Sequence, residues 1–312
     1  MTKKLSIVVP VFNEEKNIKE FLNRLVLTLK KINDDYEVIF LLDPSTDKTE
    51  ELILDEIKEN NKIKLIVFSR RFGQPSATMA GIHHASGERC VIIDCDLQDP
   101  PELIIDMNNK MNEGYDVVLA RRKSRKGETL IKKIITKIGY QIIEKITDIK
   151  IPKNTGDFRM ISKRIIENLK KFNEPNAFLR GLVAYIGFSH SFVDYDREER
   201  FDGTSKYNKY LGSIQIAFNG IFGFSSRPLF LMSIIGFFFA LLSFLIGIYY
   251  ILVKFIDPSI TPGLSSTILF ITFFSGLNLI GLGLLGEYVA RIYDEVKKRP
   301  NFIIDKKYNF DE

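Results

Sequence analysis

The sequence predicts an α/β domain built on a mostly parallel sheet, followed by a C-terminal hairpin of two transmembrane helices. Two observations carry that expectation. From residue 1 to about residue 200, short apolar runs alternate with amphipathic stretches. From Pro228 the text changes to PLFLMSIIGFFFALLSFLIGIYYILVKF, and a second apolar stretch runs from about Ser265 to Ala290. Each stretch has about the 20 residues needed to cross a bilayer.

The elements follow in order. LSIVVPVF, from Leu5 to Phe12, is apolar throughout and is expected to be a buried strand. Glu14 to Lys31 has the spacing of an amphipathic helix. YEVIFLL (36–42) is the second strand, with a helix from about Asp47. IKLIVFS (63–69) is the third, with a helix after Pro75. RCVIID (89–94) is the fourth, with a helix after Pro101, and YDVVLA (115–120) is the fifth. Strands that are apolar on both faces, each followed by a helix, belong to a parallel sheet covered on both sides.

The apolar hairpin has its own logic. Spans of about 229–254 and 265–290 are expected, and Lys254 is the one ionisable side chain before Glu287. Two buried helices of a soluble domain are the plainer alternative. Against them, Arg227, Arg291, Lys297, Lys298 and Arg299 flank the outer ends, while the loop IDPSITPG has no Lys or Arg. That asymmetry predicts both termini in the cytoplasm and the loop outside. GLGLLG (281–286) matches a dinucleotide fingerprint, but it follows no soluble strand and lies in an apolar helix, so it is rejected. Gly236, Ala240, Ser243 and Gly247 share one helix face, as do Gly276, Gly283 and Ala290 with Gly286 adjacent. Small faces let membrane helices approach closely.

Composition excludes some classes. The 312 residues carry a net charge of +5, too balanced for a dedicated nucleic-acid binder. The two cysteines, Cys90 and Cys95, lack disulfide-like spacing and are expected to be reduced thiols beside a buried strand. The opening MTKKLSIVVPVFNEE turns polar too soon for a secretory signal. His83 and His84 fall on a helix and His190 on or near a strand, with no metal-ligand spacing.

The segment with most chemistry is CVIIDCDLQDPPELI, residues 90–104. A hydrophobic strand ends abruptly in Asp94, Asp96 and Asp99, then Pro100 and Pro101. In open parallel sheets ligands bind beyond the carboxyl ends of the strands. Asn13, Glu14, Asp43, Asp94 and Asp96 all fall at such ends and can share one cleft. Two Asp separated by one residue suit Mg²⁺ or Mn²⁺, often shared with substrate phosphates. The residues alone equally suit a solvated acidic turn. Asp99 is expected to be a helix N-cap, with the prolines opening the helix.

Taken together, IVVPVFNEEKNI, DPSTDKT, IDCDLQDPPELI, NTGDFRMI, REERFDGTSKY and GEYVARIYDEVKKRP resemble, in order, the polyprenyl-phosphate glycosyltransferases of glycosyltransferase family 2. That family includes dolichol-phosphate mannose synthase and bacterial undecaprenyl-phosphate glucosyltransferases. The likeness covers nearly the whole chain. It implies a Rossmann-like GT-A catalytic domain binding a nucleotide sugar, with Mg²⁺ or Mn²⁺ as cofactor. It implies that Pro10, Phe12 and Glu14 contact the nucleoside and that Asp43 contacts the base. Asp94 then lies at the ribose and sugar, Asp96 and Gln98 hold the metal, and Arg121 lies near the donor phosphates. Asp157 matches the proposed catalytic carboxylate. Arg200, Ser205 and Lys206 match a loop that meets the acceptor phosphate. The implied division is a catalytic domain at 1–206, an interfacial segment at 207–227, the hairpin at 228–290 and a cytoplasmic tail at 291–312. The implied setting is a bacterial inner membrane, with a polyprenyl phosphate acceptor, no nucleic acid, and a homo-tetramer as in some relatives.

One stretch departs from the pattern. The family usually has Asp-Asp-Gly-Ser where this chain has Leu42-Asp43-Pro44-Ser45. One carboxylate is lost and a flexible Gly becomes a stiff Pro, which bears on base selectivity. Inverting transfer of a hexose, glucose by default, from UDP-glucose to undecaprenyl phosphate is the expected reaction. GlcNAc, galactose, mannose and aminoarabinose are the alternative sugars. A processive polysaccharide synthase usually carries a Gln-x-x-Arg-Trp motif, and this chain has no Trp. A non-catalytic nucleotide-sugar binder rests on the Leu42–Pro44 departure alone, and two helices make a poor lone path for a flippase.

Overall fold

A computed structural model describes residues 5–32, 35–123, 149–172, 174, 178–197, 220–256 and 263–310, with the side chains at 250, 254 and 264–266 outside that description. The first half of the chain forms β1 (Leu5–Val11), α1 (Ile18–Ile32), β2 (Tyr36–Leu42), α2 (Thr49–Glu59), β3 (Ile63–Phe68), α3 (Gln74–His84), β4 (Arg89–Ile92), α4 (Leu103–Asn112) and β5 (Val117–Arg122). The second half adds β6 (Thr155–Ser162), α5 (Lys163–Leu169), α6 (Leu179–Ile186), β7 (His190–Tyr195), α7 (Arg227–Ile256), α8 (Leu264–Lys297) and β8 (Ile304–Tyr308).

All eight strands share one sheet in the order β7-β5-β6-β4-β1-β2-β3-β8. The central block is parallel: β1 pairs with β2 and β4, and β2 with β3. β5 pairs parallel with β7, while β6 runs antiparallel between β4 and β5. The five strands expected from sequence are present, and the fold is the expected α/β arrangement. β6 and β8 are additions, both antiparallel. β8 comes from the far end of the chain and closes the β3 edge, pairing Leu65 with Tyr308 and Ile66 with Lys307.

The sheet has a core on each face. Ile7, Val9, Val38, Phe40, Val91 and Ile93 pack with Phe21, Leu25 and Met107 of α1 and α4. The alternate positions Val8, Ile39, Leu41, Cys90 and Ile92 pack with α3, α5 and α6. The period of two along each strand explains why these strands have no polar face. Both cysteines are buried and unpaired with one another, as expected. Burial pushes the Cys90 thiol up, so it is inert.

α7 and α8 stand apart from this core. At about 1.5 Å per residue, their 30 and 34 residues extend about 45 and 50 Å. None of the apolar window of either helix is buried within the chain, which decides against two core helices of a soluble domain. They are candidate membrane spans. α8 continues past the expected Ala290 to Lys297 and carries Arg291 paired with Glu287 one turn away. The glycine faces do not bring the two helices into close contact: a Cβ added at Gly236, Gly247, Gly276, Gly283 or Gly286 would meet no atom of the facing helix within 4 Å. Phe239 instead meets Phe273 and Phe274, with ring centroids 5.7 Å apart in each case. Bulky rings hold the helices apart above a cleft of about 540 Å³ lined by Met232, Gly236, Asn278 and Gly281.

Candidate active site at the strand ends

The loops after β1 and β2 are laced together. The Asn13 N–H donates to Ser45 Oγ (2.9 Å), the Thr46 N–H donates to Asn13 Oδ1 (2.8 Å), and the Glu14 N–H donates to Thr49 Oγ1 (2.8 Å). Asn13 adopts φ +53°, a left-handed turn that Asn tolerates better than most residues. Pro10 is buried inside β1, paired in register with Leu41. Phe12 faces outward, with the Arg71 guanidinium 4.1 Å over its ring. The Glu14 carboxylate accepts from the Asn17 side-chain amide at 2.5 Å.

Asp43 is 4 % exposed, and its two oxygens accept the N–H groups of Phe72 and Gly73, both at 2.9 Å. This carboxylate anchors the loop after β3. The sequence reading gave it a base-contacting role and did not find this bond pair, whose partners lie about 30 positions away.

After β4 the chain alternates. Cys95, Leu97 and Asp99 are buried, whereas Asp94, Asp96 and Gln98 are partly exposed and face the cleft. Leu97 takes φ +60°, and the Gln98 N–H closes a turn on Asp96 Oδ1 at 3.1 Å. Asp94 accepts from the Gln74 amide at 2.8 Å, at the start of α3. Burial raises the Asp94 carboxyl well above its ordinary value, and the neighbouring charges of Asp96, Asp157 and Asp99 raise it further against Arg197. The cleft therefore concentrates negative charge that a cation would relieve.

Among the described residues no three His, Cys, Asp or Glu side chains form a ready-made metal cage. A hard divalent ion does not need one. Mg²⁺-type sites often use one or two carboxylates and take the remaining ligands from substrate phosphates and water. Asp96 with the Gln98 side chain fits that description.

Asp99 departs from expectation. α4 begins later, with Glu102 at its N-cap, although Pro100 and Pro101 do open its first turn through bonds to Leu103 and Ile104. Asp99 is 2 % exposed and accepts the Tyr195 hydroxyl, with the guanidinium groups of Arg122 and Arg197 at 3.6 and 3.8 Å. Burial, and the charge of Asp99, push the Tyr195 phenol up to about 12.

Arg121, expected near the donor phosphates, pairs with the neighbouring edge strand. Its guanidinium makes two bonds to Asp194 on the edge strand (2.6 and 2.9 Å) and covers Phe192. The next residue, Arg122, turns inward to Tyr195 and Asp99. A shift of register between Leu119 and Arg121 marks an irregularity at this point of the β5–β6 pair.

Asp157 projects from β6 toward α6. Arg180 grips it with two bonds, Nε to Oδ1 at 2.9 Å and Nη2 to Oδ2 at 3.1 Å. Buried Arg159 lies 3.7 Å away. Burial alone would raise this carboxyl, but the charge and hydrogen bonds of Arg180, with Arg159 and Arg122, hold it below its ordinary value. Burial in turn lowers Arg159 to about 10. Arg180 and Gln74 carry no motif signal in the sequence, since only the fold places them beside Asp157 and Asp94. Arg200, Ser205 and Lys206 lie outside the described residues.

Relatives align over almost the full length of both chains. An uncharacterised glycosyltransferase of Synechocystis sp. is 42 % identical over 97 % of this chain and 95 % of its own. The bactoprenol glucosyl transferase of Shigella phage SfII is 39 % identical over 98 % of each. Among solved structures, glucosyl-3-phosphoglycerate synthase from Mycobacterium tuberculosis, in complex with Mn²⁺, UDP and phosphoglyceric acid, shares the fold at 16 % identity. Its TM-score is 0.50 over 70 % of this chain and 76 % of that one. The pattern described as Glycosyl transferase family 2 matches residues 6–170, from β1 through α5, and so includes Asp43, Asp94, Asp96, Gln98 and Asp157. The chain therefore belongs to glycosyl transferase family 2, and it is a glycosyltransferase.

Proposed function

We propose that the enzyme transfers glucose from UDP-glucose to undecaprenyl phosphate, with inversion at C1. The observation that carries this reading is the full-length similarity to bactoprenol glucosyl transferases, both apolar helices included: 39 % identity over 98 % of each chain for that of phage SfII. Bactoprenol is a polyprenol, and two apolar helices suit an enzyme whose acceptor never leaves the bilayer. The catalytic domain and both ends of the hairpin face the cytoplasm in this reading, with residues 256–264 on the other side.

Asp96 and Gln98 would hold the divalent ion, Mg²⁺ or Mn²⁺, against the donor diphosphate. When bound, that ion stabilises charge on the leaving nucleoside diphosphate. Asp94, held by Gln74, faces the sugar side of the cleft. Arg122, turned inward, supplies positive charge behind the cluster where Arg121 does not.

The acceptor needs little activation. A phosphate monoester has a second pKa of about 6, so it arrives largely as an anion. One of its oxygens attacks C1, and the C1–oxygen bond to the diphosphate breaks with its electrons on the leaving group. Asp157, kept ionised by Arg180, is a weak base. It orients the incoming acceptor more than it removes a proton. Arg200 and Lys206 neutralise the acceptor phosphate in this reading, and Ser205 belongs to the same acceptor-phosphate loop.

The test is a panel of labelled UDP- and GDP-sugars incubated with the purified full chain and undecaprenyl phosphate. Lipid-linked glucose from UDP-glucose is the expected product. Transfer of a different sugar alone would overturn the choice of donor. Donor binding with no transfer to lipid from any sugar would overturn the reaction.

A further inference from the structure

We infer that Arg180 is a positioning residue for Asp157, seated by the chain segment that enters the membrane hairpin. The inference rests on the reading of Asp157 as the carboxylate that meets the acceptor.

The observations form a continuous path. Arg180 is the second residue of α6 and holds both oxygens of Asp157, at 2.9 and 3.1 Å. Two parallel N–H bonds fix the plane of a carboxylate as well as its place, which a single contact does not. The next residue, Gly181, is in closest contact with Phe224. A Cβ at that position would overlap the Phe224 ring and stand 2.9 Å from Phe178 Cδ1. The rings of Phe178 and Phe224 lie 6.3 Å apart. α6 thus rests directly on residues 220–224, three residues before α7 begins at Arg227.

That segment is fastened in turn to the second apolar helix. The Tyr288 hydroxyl donates to the Ser225 carbonyl at 2.7 Å. The Phe222 and Tyr288 rings meet at 5.3 Å, and the Arg291 guanidinium lies 5.7 Å from the Phe222 centroid. The start of one apolar helix and the end of the other therefore converge on the seat of α6. A shift of the hairpin relative to the catalytic domain moves Phe224 against Gly181 and, through Arg180, tilts Asp157. The device ties the orientation of Asp157 to the seating of the hairpin that brings the lipid acceptor.

Arg180→Gln, Arg180→Lys, Phe224→Ala and Asp157→Asn full-length proteins, in lipid nanodiscs, test this. Each is assayed for UDP-glucose affinity, thermal midpoint, and kcat and KM toward undecaprenyl phosphate. Misplacing a reacting group by about 1 Å costs about 100-fold. Arg180→Gln is expected to lose on the order of that factor in kcat, with donor affinity and KM for lipid near wild type. Arg180→Lys keeps the charge but not the fork, and is expected to recover only part of the loss. Phe224→Ala, remote from the reacting atoms, is expected to lower kcat several-fold in the same way. A purely structural role for Arg180 would lower the midpoint and leave kcat per folded molecule unchanged, which overturns the inference. A rise in KM for lipid at unchanged kcat would also overturn it, making Arg180 a phosphate ligand. If Arg180→Gln does not fold, Arg180→Lys and Phe224→Ala decide, and wild-type kcat in both rejects the proposal. Full activity in Asp157→Asn would instead sink the underlying reading of Asp157, a result distinct from a dead Asp157→Asn beside an unaffected Arg180→Gln.

Discussion

After β4 burial alternates through a turn, with Leu97 at φ +60°: Asp94, Asp96 and Gln98 are partly exposed, and Cys95, Leu97 and Asp99 are turned inward. That alternation lets one short segment both anchor itself in the core and present a carboxylate pair to a ligand. If Asp96 is the ion's main protein ligand, Asp96→Asn should cut turnover by on the order of 100-fold. It should also abolish the tightening of UDP binding by Mn²⁺, which calorimetry measures with and without the ion. Unchanged metal dependence in that variant would disprove the assignment. Asp157 offers a second check through stability. Its carboxyl lies below the ordinary value when folded, so its ion pair stabilises the protein above that value, 3.8, and the contribution fades as pH falls through the lower folded value. The stability margin of wild type over Asp157→Asn should be full and flat above about pH 5 and should close on further acidification. Thermal unfolding between neutral and acid pH reads it, and a margin unchanged at the acid end would contradict it. Both carboxylates were legible in the sequence because each sits in a local pattern. Their keepers were not. Gln74 lies 20 positions from Asp94 and Arg180 23 from Asp157, so only the folded sheet reveals the pairs.

The elements that sequence patterning located are those buried on both faces. β1 to β5 are short, mostly apolar runs, with Asp43 directly after β2 and Asp94 two residues after β4, and their positions agree with expectation to within a few residues. The strands it missed have other signatures. β8, IDKKY, is largely polar because only one side meets the core. β6 contains Asp157 and Arg159, whose charges mask a strand that is buried because they pair. β8 has a further consequence for the edge it covers. Without it, β3 would expose the backbone of an apolar strand. Phe302, just before β8, packs against Phe68 at 6.1 Å and beside His83 and His84, and the Ser69 N–H bonds the Ile303 carbonyl at 3.0 Å. The two histidines thus have a packing role, and burial lowers both from their ordinary values. Phe302→Ala removes the ring that seats this strand and should cost about 2 kcal/mol, less than a fully buried Phe. A clear fall in the thermal midpoint, with more aggregation on heating, is the expected outcome. A midpoint equal to wild type would show that the strand contributes nothing to the domain.

At the scale of the whole molecule, the chain leaves the catalytic domain into α7 and returns from α8 to the same domain. Phe224 rests on α6 before the first apolar helix, and β8 pairs with β3 after the second. Two attachments to one folded body require both outer ends of the hairpin to lie on the same side of a bilayer, whatever the charges are. The charges then choose the side. Arg227, Arg291, Lys297, Lys298 and Arg299 lie at the domain end, and the connecting loop IDPSITPG has no Lys or Arg. By the positive-inside rule, the proposed orientation has the domain end in the cytoplasm. The native cysteines help the experiment, because Cys90 and Cys95 are buried and give no background with a thiol reagent. A cysteine in place of Ser259 should react with an impermeant maleimide in intact cells. One in place of Lys298, which caps α8 at φ +49° and already carries a Cβ there, should react only after the cells are opened. Labelling at both positions in intact cells would place the loop and the domain end on the same, outer side and so contradict the crossing itself. Labelling at Lys298 alone would invert the hairpin, and protection of both would mean that the loop never crosses. Only the pattern of Ser259 labelled and Lys298 protected is compatible with two crossings, a cytoplasmic cleft and an acceptor phosphate presented at the inner headgroup layer.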